Sequence, residues 1–244
     1  MNEAIKTLKT WIEESNRIVF FGGAGVSTES GIKDFRSVDG LYHMKFKYPP
    51  ETMLSHSFYE THTEEFYDFY RNQLMPPEDI EPNTAHLRLA ELEREGKLTA
   101  VVTQNVDGLH EKAGSKRIYN LHGSIYENRC VRCGKRFDGL EGARKIRFAE
   151  GVPLCDCGGI IKPDVVLYEE GLDQSVIESA VRAISKADML IIGGTSLTVY
   201  PAAGLVRYYK GNRLVLINRD ATSMDSECDL VIHDKVGEVL GSLR

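Results

Sequence analysis

Apolar positions recur along this chain in two rhythms, and the two rhythms alternate. Ile5, Leu8 and Ile12 share one face at a helical period, which predicts a helix over residues 3–15. The unbroken run Ile18-Val19-Phe20-Phe21 then reads as a strand buried on both faces. Asn83 stands where it caps a helix through Leu87, Leu89 and Leu92 that ends near Gly96. Strand-like runs follow at 98–103 and 118–121. Past residue 160 the alternation is regular. A strand at 164–168, a helix at 174–187, a strand at 189–192 and a helix at 201–209 lead to strands at 214–217 and 230–232 and a terminal helix. Such alternation predicts an α/β fold, a Rossmann-like parallel sheet with helices on both faces.

Two stretches depart from that rhythm. Residues 38–80 crowd aromatic side chains, with Pro49-Pro50 and Pro76-Pro77 as breaks, and 130–157 carry four of the five cysteines. They predict a small inserted domain. Residues 1–37, 80–125 and 164–244 then form the sheet domain. The small domain takes 38–79, a part of loops and short helices, and 126–163, a zinc ribbon.

Composition narrows the partners. The 244 residues are 42% hydrophobic and 27% charged, enough for one large core with an appendage. A net charge of -6 argues against a nucleic-acid partner, which needs a basic surplus or face. No segment approaches the ~20 apolar residues of a membrane span, and Glu3, Lys6, Lys9, Glu13 and Glu14 interrupt any signal-like stretch near the start. No membrane partner is expected. Clustered cysteines suit a metal in a reducing compartment, so a cytoplasmic location is expected. Cys228, alone, reads as a small buried residue.

The candidate chemistry sits at strand ends. The run Gly22-Gly23-Ala24-Gly25-Val26-Ser27-Thr28 leaves the first strand, where glycines let backbone N–H groups approach a pyrophosphate. A dehydrogenase fingerprint would have a third glycine where Thr28 stands and an acidic ribose ligand about 20 residues on; both are missing. The run continues instead into Asp34-Phe35-Arg36, an acid, an aromatic ring and a guanidinium in one loop. Later strands end in Gln104-Asn105-Val106-Asp107, His122-Gly123, Gly194-Thr195-Ser196 and Asn218-Arg219-Asp220. In an open parallel sheet the ligand lies beyond those ends. Cys130-x2-Cys133 and Cys155-x-Cys157 read as a ribbon whose four thiolates hold one structural Zn2+, with no open position for a substrate. The second half is one residue short, a tighter chelate.

In their order and spacing these motifs resemble the sirtuin family, the NAD-dependent protein-lysine deacylases. The residues that carry the resemblance are Gly23 to Ser27, Ser30-Gly31-Ile32, Asp34-Phe35-Arg36, Thr103 to His110, Leu121-His122-Gly123, the four cysteines, Pro163 to Val166, Gly194 to Leu197 and Tyr200-Pro201. The resemblance implies transfer of the acyl group of an acyl-lysine protein onto ADP-ribose, with release of nicotinamide. It implies His122 as general base on a ribose hydroxyl and Asn105 and Gln104 as orienting groups. Asp107, with the Val106 backbone, would receive the nicotinamide carboxamide. Phe35 would shield the ribose carbon, with Asp34 and Arg36 ordering its loop. Ala24, Thr28, Gly194, Thr195, Ser196 and Asn218 would hold phosphates and adenosine, and Val166, Tyr168 and Val199 would edge the acyl-lysine tunnel. An ADP-ribosyltransferase using the same pocket is the alternative. Glu169 stands where the family usually has glycine, which puts a negative charge beside the peptide cleft. Members that prefer acidic acyl groups carry a Tyr-x-x-Arg pair; here Arg71 is one step off that spacing from Tyr67, so uncharged acyl groups are expected.

Overall fold

The computed structural model describes residues 3–37 and 40–243. Residues 1, 2, 38, 39 and 244, which the expected domain division includes, lie outside the described residues. In chain order the elements are α1 (Glu3–Glu14), β1 (Ile18–Gly22), α2 (Pro50–Met53), α3 (His56–Thr61), α4 (Thr63–Phe69), α5 (Thr84–Arg94), β2 (Leu98–Thr103), α6 (Leu109–Ala113), β3 (Ile118–Asn120), β4 (Gly123–Cys130), α7 (Gly139–Arg147), β5 (Ile161–Val165), α8 (Gln174–Lys186), β6 (Met189–Gly193), β7 (Leu214–Ile217), β8 (Leu230–Ile232) and α9 (Val236–Gly241). Two caps explain sharp helix starts. The Asn83 side chain accepts the Ala85 N–H at 2.9 Å, and one Asp173 oxygen accepts the N–H groups of Ser175 and Val176.

Six strands form a parallel sheet in the order β3-β2-β1-β6-β7-β8. Alternation along each strand divides its side chains between two cores. Ile18 and Phe20 face a layer made with Leu8, Ile12, Leu89, Leu92, Val239 and Leu240 from α1, α5 and α9. Val19 and Phe21 face the other, made with Ala180 and Ile184 of α8 and Ala202, Leu205 and Val206. Burial on both faces is why these strands are apolar throughout. The order reverses direction between β1 and β6, so the crevice of a doubly wound sheet opens beyond Gly22.

Two expected elements came out differently. The strand expected at 164–168 is β5, 161–165, and it pairs antiparallel with β4 in a separate two-stranded sheet. Its continuation takes other partners. The N–H groups of Val166, Leu167 and Tyr168 go to the His122 carbonyl, the Glu170 carboxylate and the Leu54 carbonyl. The helix expected at 201–209 is a 3-10 turn, Ala202–Tyr208. A third core gathers Phe58, Phe66, Tyr67 and Tyr70 with Cys130, Ile146, Cys155 and Ile161, joining the aromatic stretch to the cysteine segment.

Candidate active site

One cavity of about 480 Å³ opens at the carboxyl ends of β1, β2 and β6 and extends to the segment after β5. Its floor exists because two glycines interlock. The Gly25 N–H donates to the Gly194 carbonyl at 2.8 Å, and a Cβ on Gly25 would lie 2.8 Å from the Gly194 Cα. No side chain fits there, so the two loops meet backbone to backbone.

His122 follows β3 and immediately precedes β4. Its Nδ1 lies 2.9 Å from the Gln104 carbonyl. A carbonyl only accepts, so Nδ1 carries the proton and Nε2 keeps its lone pair. Burial holds this imidazole below its ordinary value, with the hydrogen bond to Gln104 pulling it partly back. The ring is therefore neutral near pH 7. Gly123, beside it, has φ +74°, and a Cβ there would strike the Asp164 carbonyl at 1.7 Å. Glycine is needed where the chain turns from His122 into β4.

A buried polar chain lies beneath. The Ser27 hydroxyl donates to Asp107 Oδ2 at 2.7 Å and accepts from Asn105 Nδ2 at 3.1 Å. His86 Nδ1 accepts the Asn83 N–H, so its proton is on Nε2, which faces the Ser27 oxygen at 3.5 Å. Asp107 Oδ1 accepts the Leu109 N–H at 2.9 Å. Burial raises the Asp107 carboxyl and the Ser27 and Leu109 donors oppose that; burial pushes His86 down to about 4. Neither Ser27 nor His86 was among the expected site residues. Ser27 lay inside the glycine run, where a hydroxyl reads as a turn former. His86 reads as one polar position of an amphipathic helix, and no local pattern ties it to Ser27, 59 residues away.

The other expected residues converge, with one exception. Ala24, Asp34, Phe35, Arg36, Gln104, Asn105, Val106, Asp107, His122, Gly194, Thr195, Ser196 and Asn218 all line the cavity, as do Val166, Tyr168 and Val199. Gln104 Nε2 donates to Thr195 Oγ1 at 3.0 Å, tying two strand ends together. Asp34 accepts the Ser37 N–H at 2.9 Å, and Arg36 lies over the Tyr42 ring at 4.9 Å. Thr28 is not part of the lining; its hydroxyl turns back to the Gly25 carbonyl at 3.0 Å. Glu169 has φ +76°, and its carboxylate accepts from the N–H and hydroxyl of Ser57 at the start of α3. Its charge is thus taken up by that helix end. Arg71 donates to the carbonyls of Ile146 and Gly151 and pairs with Asp68.

The four cysteines come together away from the cavity. The sulfurs of Cys130 and Cys157 are 3.4 Å apart, those of Cys133 and Cys155 3.8 Å, and all four lie within 4.8 Å of one another. A tetrahedral zinc with bonds of ~2.3 Å spaces its sulfurs by about 3.8 Å. The four-thiolate set fits that ion, and the shortened Cys155-x-Cys157 half still reaches it.

The model of the Sir2 family matches residues 23–201. An NAD-dependent protein deacetylase of Clostridium acetobutylicum is 61% identical over 241 residues, which cover 98% of this chain and 97% of that protein. One of the same name from Clostridium perfringens is 57% identical over 247 residues, 100% of this chain and 99% of that one. Among solved structures, a Sir2–p53 peptide–NAD+ complex superposes with a TM-score of 0.85 at 38% identity, covering 100% of this chain and 97% of that one. A Sir2 homologue in complex with NAD superposes with a TM-score of 0.86 at 39% identity, covering 98% and 91%.

Proposed function

The chain belongs to the Sir2 family and is an NAD-dependent protein deacetylase, and from that premise we propose how its own residues divide the work. His122 is the general base. The observation that carries this is its Nδ1–H committed to the Gln104 carbonyl, which leaves Nε2 as the acceptor for a ribose hydroxyl proton. Asp107 and the Val106 backbone receive the nicotinamide carboxamide, and the hydrogen bonds from Ser27 and Leu109 hold the Asp107 carboxylate in one orientation. Asn105 and Gln104 orient ribose hydroxyls; Phe35 keeps water from the ribose carbon. Gly194, Thr195, Ser196 and Asn218 hold the phosphates and adenosine, joined by Ala24 but not by the Thr28 hydroxyl, which is spent on Gly25. Val166, Tyr168 and Val199 edge the acyl-lysine, laid down as an added strand. Zinc, bound by Cys130, Cys133, Cys155 and Cys157, holds the ribbon together and takes no part in the chemistry. Reduced thiolates need a reducing compartment, and we place the enzyme in the cytoplasm on that ground.

The acid limb of the pH profile tests the base. A base works only unprotonated, and burial lowers the His122 value, so activity is full above that lowered value and is lost as pH falls through it. kcat/KM for NAD is expected to keep more than about half of its plateau value at pH ~6.5, the ordinary imidazole value, because the midpoint of its fall lies below that value. A limb centred above 7 would remove His122 from the role.

Acyl preference follows from Arg71. Its guanidinium is spent on two carbonyls and Asp68, and Tyr67 donates its hydroxyl to the Ile161 carbonyl, so neither supplies a free group for an acidic acyl chain. Mass spectrometry of acetyl- and succinyl-lysine peptides, with and without NAD, is expected to show NAD-dependent removal of acetyl, release of nicotinamide and formation of O-acetyl-ADP-ribose. Succinyl turnover is expected to be at least about tenfold slower, the scale of one missing charge-assisted contact. Faster succinyl removal would reverse the preference. NAD consumption with the acetyl group retained would favour ADP-ribosyl transfer, which the deacetylase relatives otherwise disfavour.

A further inference from the structure

Two phenol groups meet at the rim of the cavity from segments far apart in sequence. The hydroxyls of Tyr42 and Tyr168 are 2.6 Å apart, across 126 positions of chain. Each is fixed to a different side of the cavity. On the first side, the Tyr42 N–H donates to the Phe35 carbonyl at 2.9 Å, its ring meets the Phe35 ring edge-on with centroids 5.7 Å apart, and the Arg36 guanidinium lies over it. Tyr42 is therefore the support of the Asp34-Phe35-Arg36 segment. On the other side, the Tyr168 N–H donates to Leu54 and its carbonyl accepts from His56, which anchors the backbone of the acyl-lysine wall two residues after Val166.

From this geometry we propose that Tyr42 and Tyr168 are a pair of positioning residues whose hydroxyl–hydroxyl bond couples the NAD segment to the acyl-lysine wall. The bond makes the placement of Phe35 depend on the placement of the strand that takes the peptide. Burial keeps the Tyr42 phenol protonated far beyond working pH, so the pair always has a proton to share. The proposal relies on the deacetylase assignment only for which ligand lies on each side.

A double-mutant cycle tests it with wild type, Tyr42→Phe, Tyr168→Phe and the double variant. Phenylalanine keeps both rings, and with them the Phe35 and Arg36 contacts, so the variants are expected to melt with the wild type. Calorimetry with ADP-ribose is expected to show the same loss of affinity in both single variants and in the double, about fivefold, because removing either hydroxyl removes the whole bond. With NAD and an acetyl-lysine peptide, the loss is expected to fall on KM for NAD more than on kcat. A double variant that loses the product of the single effects, about 25-fold, overturns the coupling, as do single variants with unchanged ADP-ribose affinity. A wild type that binds ADP-ribose but never deacetylates would instead overturn the enzymatic assignment, while the binding cycle still reads the pair.

Discussion

His122→Ala is expected to lower NAD-dependent deacetylation by about a hundred- to ten-thousandfold, the range a positioned general base contributes. The fold should survive. His122 is half-buried at the cavity wall, and its ring is held by one hydrogen bond to the Gln104 carbonyl. After truncation that carbonyl faces the cavity, where water can take the donor's place, so the unsatisfied-acceptor cost is small. His122→Tyr should lose activity as completely, since a phenol of ordinary value near 10 is a poor base at pH 7. The loss is expected in kcat/KM and kcat alike, because a proton acceptor that acts only as the ribose hydroxyl reacts contributes to the transition state and not to ground-state binding. ADP-ribose affinity, read by calorimetry, should change little by comparison. Turnover within tenfold of wild type in either variant would assign the base elsewhere; a collapse of the melting temperature would mean that the loss is structural. Following nicotinamide release beside acetyl removal separates the two chemistries that share this pocket, since departure of nicotinamide alone makes less demand on a base.

The parts of this enzyme that were legible in its sequence are those in which one local signal has one physical cause. Ile18 to Phe21 and Met189 to Ile192 are apolar without a break because both faces of the parallel sheet are covered, and the chain writes that directly. The glycine run and the strand-end polar groups were legible for a related reason: a doubly wound sheet has one ligand crevice, and its residues must come at strand ends. Where the signal is shared between distant segments, it faded. Val165-Val166-Leu167 has the composition of a sheet strand, yet Pro163 has no N–H to give a ladder, and the segment pairs with β4 before splaying toward Leu54 and His122. Within its own helix His86 marks only the cap, where its Nδ1 accepts the Asn83 N–H; its contact with Ser27 appears only once α5 packs its first turn behind that residue. Thr28 stands apart from the cavity lining for the opposite reason. A hydroxyl in a glycine loop looks like a phosphate ligand, but a 3-10 turn gives it a nearer acceptor in its own backbone.

Removal of zinc is the change expected to reach furthest through the molecule. None of the four cysteines lines the cavity, so the metal's influence must travel through structure. The route is short. β4 begins at Gly123, the residue after His122, and β5 ends at Val165, the residue before Val166; the Val166 N–H then closes onto the His122 carbonyl at 2.9 Å. Both strands of the two-stranded sheet thus run from the ribbon into the active site. Cys130 is the last residue of β4, and it packs with Cys155, Ile146 and Ile161 in the aromatic core. Such a segment has little core of its own, and structural zinc in small four-ligand sites contributes about 10–16 kcal/mol at neutral pH. The four sulfurs lie within 4.8 Å of one another, and without the ion nothing bonds them to a common centre. A chelator that strips the metal, or Cys130→Ser, is therefore expected to cost at least about tenfold in deacetylation, through loss of the positions of Gly123 and Val166. Hydrogen exchange locates the effect: amides of 123–130 and 161–165 should exchange faster, while those of β1, β2 and β6 stay protected, because the six-stranded sheet keeps both of its own cores. Full activity with unchanged protection in the metal-free protein would show that the ribbon holds itself together, and the coupling from the zinc site to His122 would have to be given up.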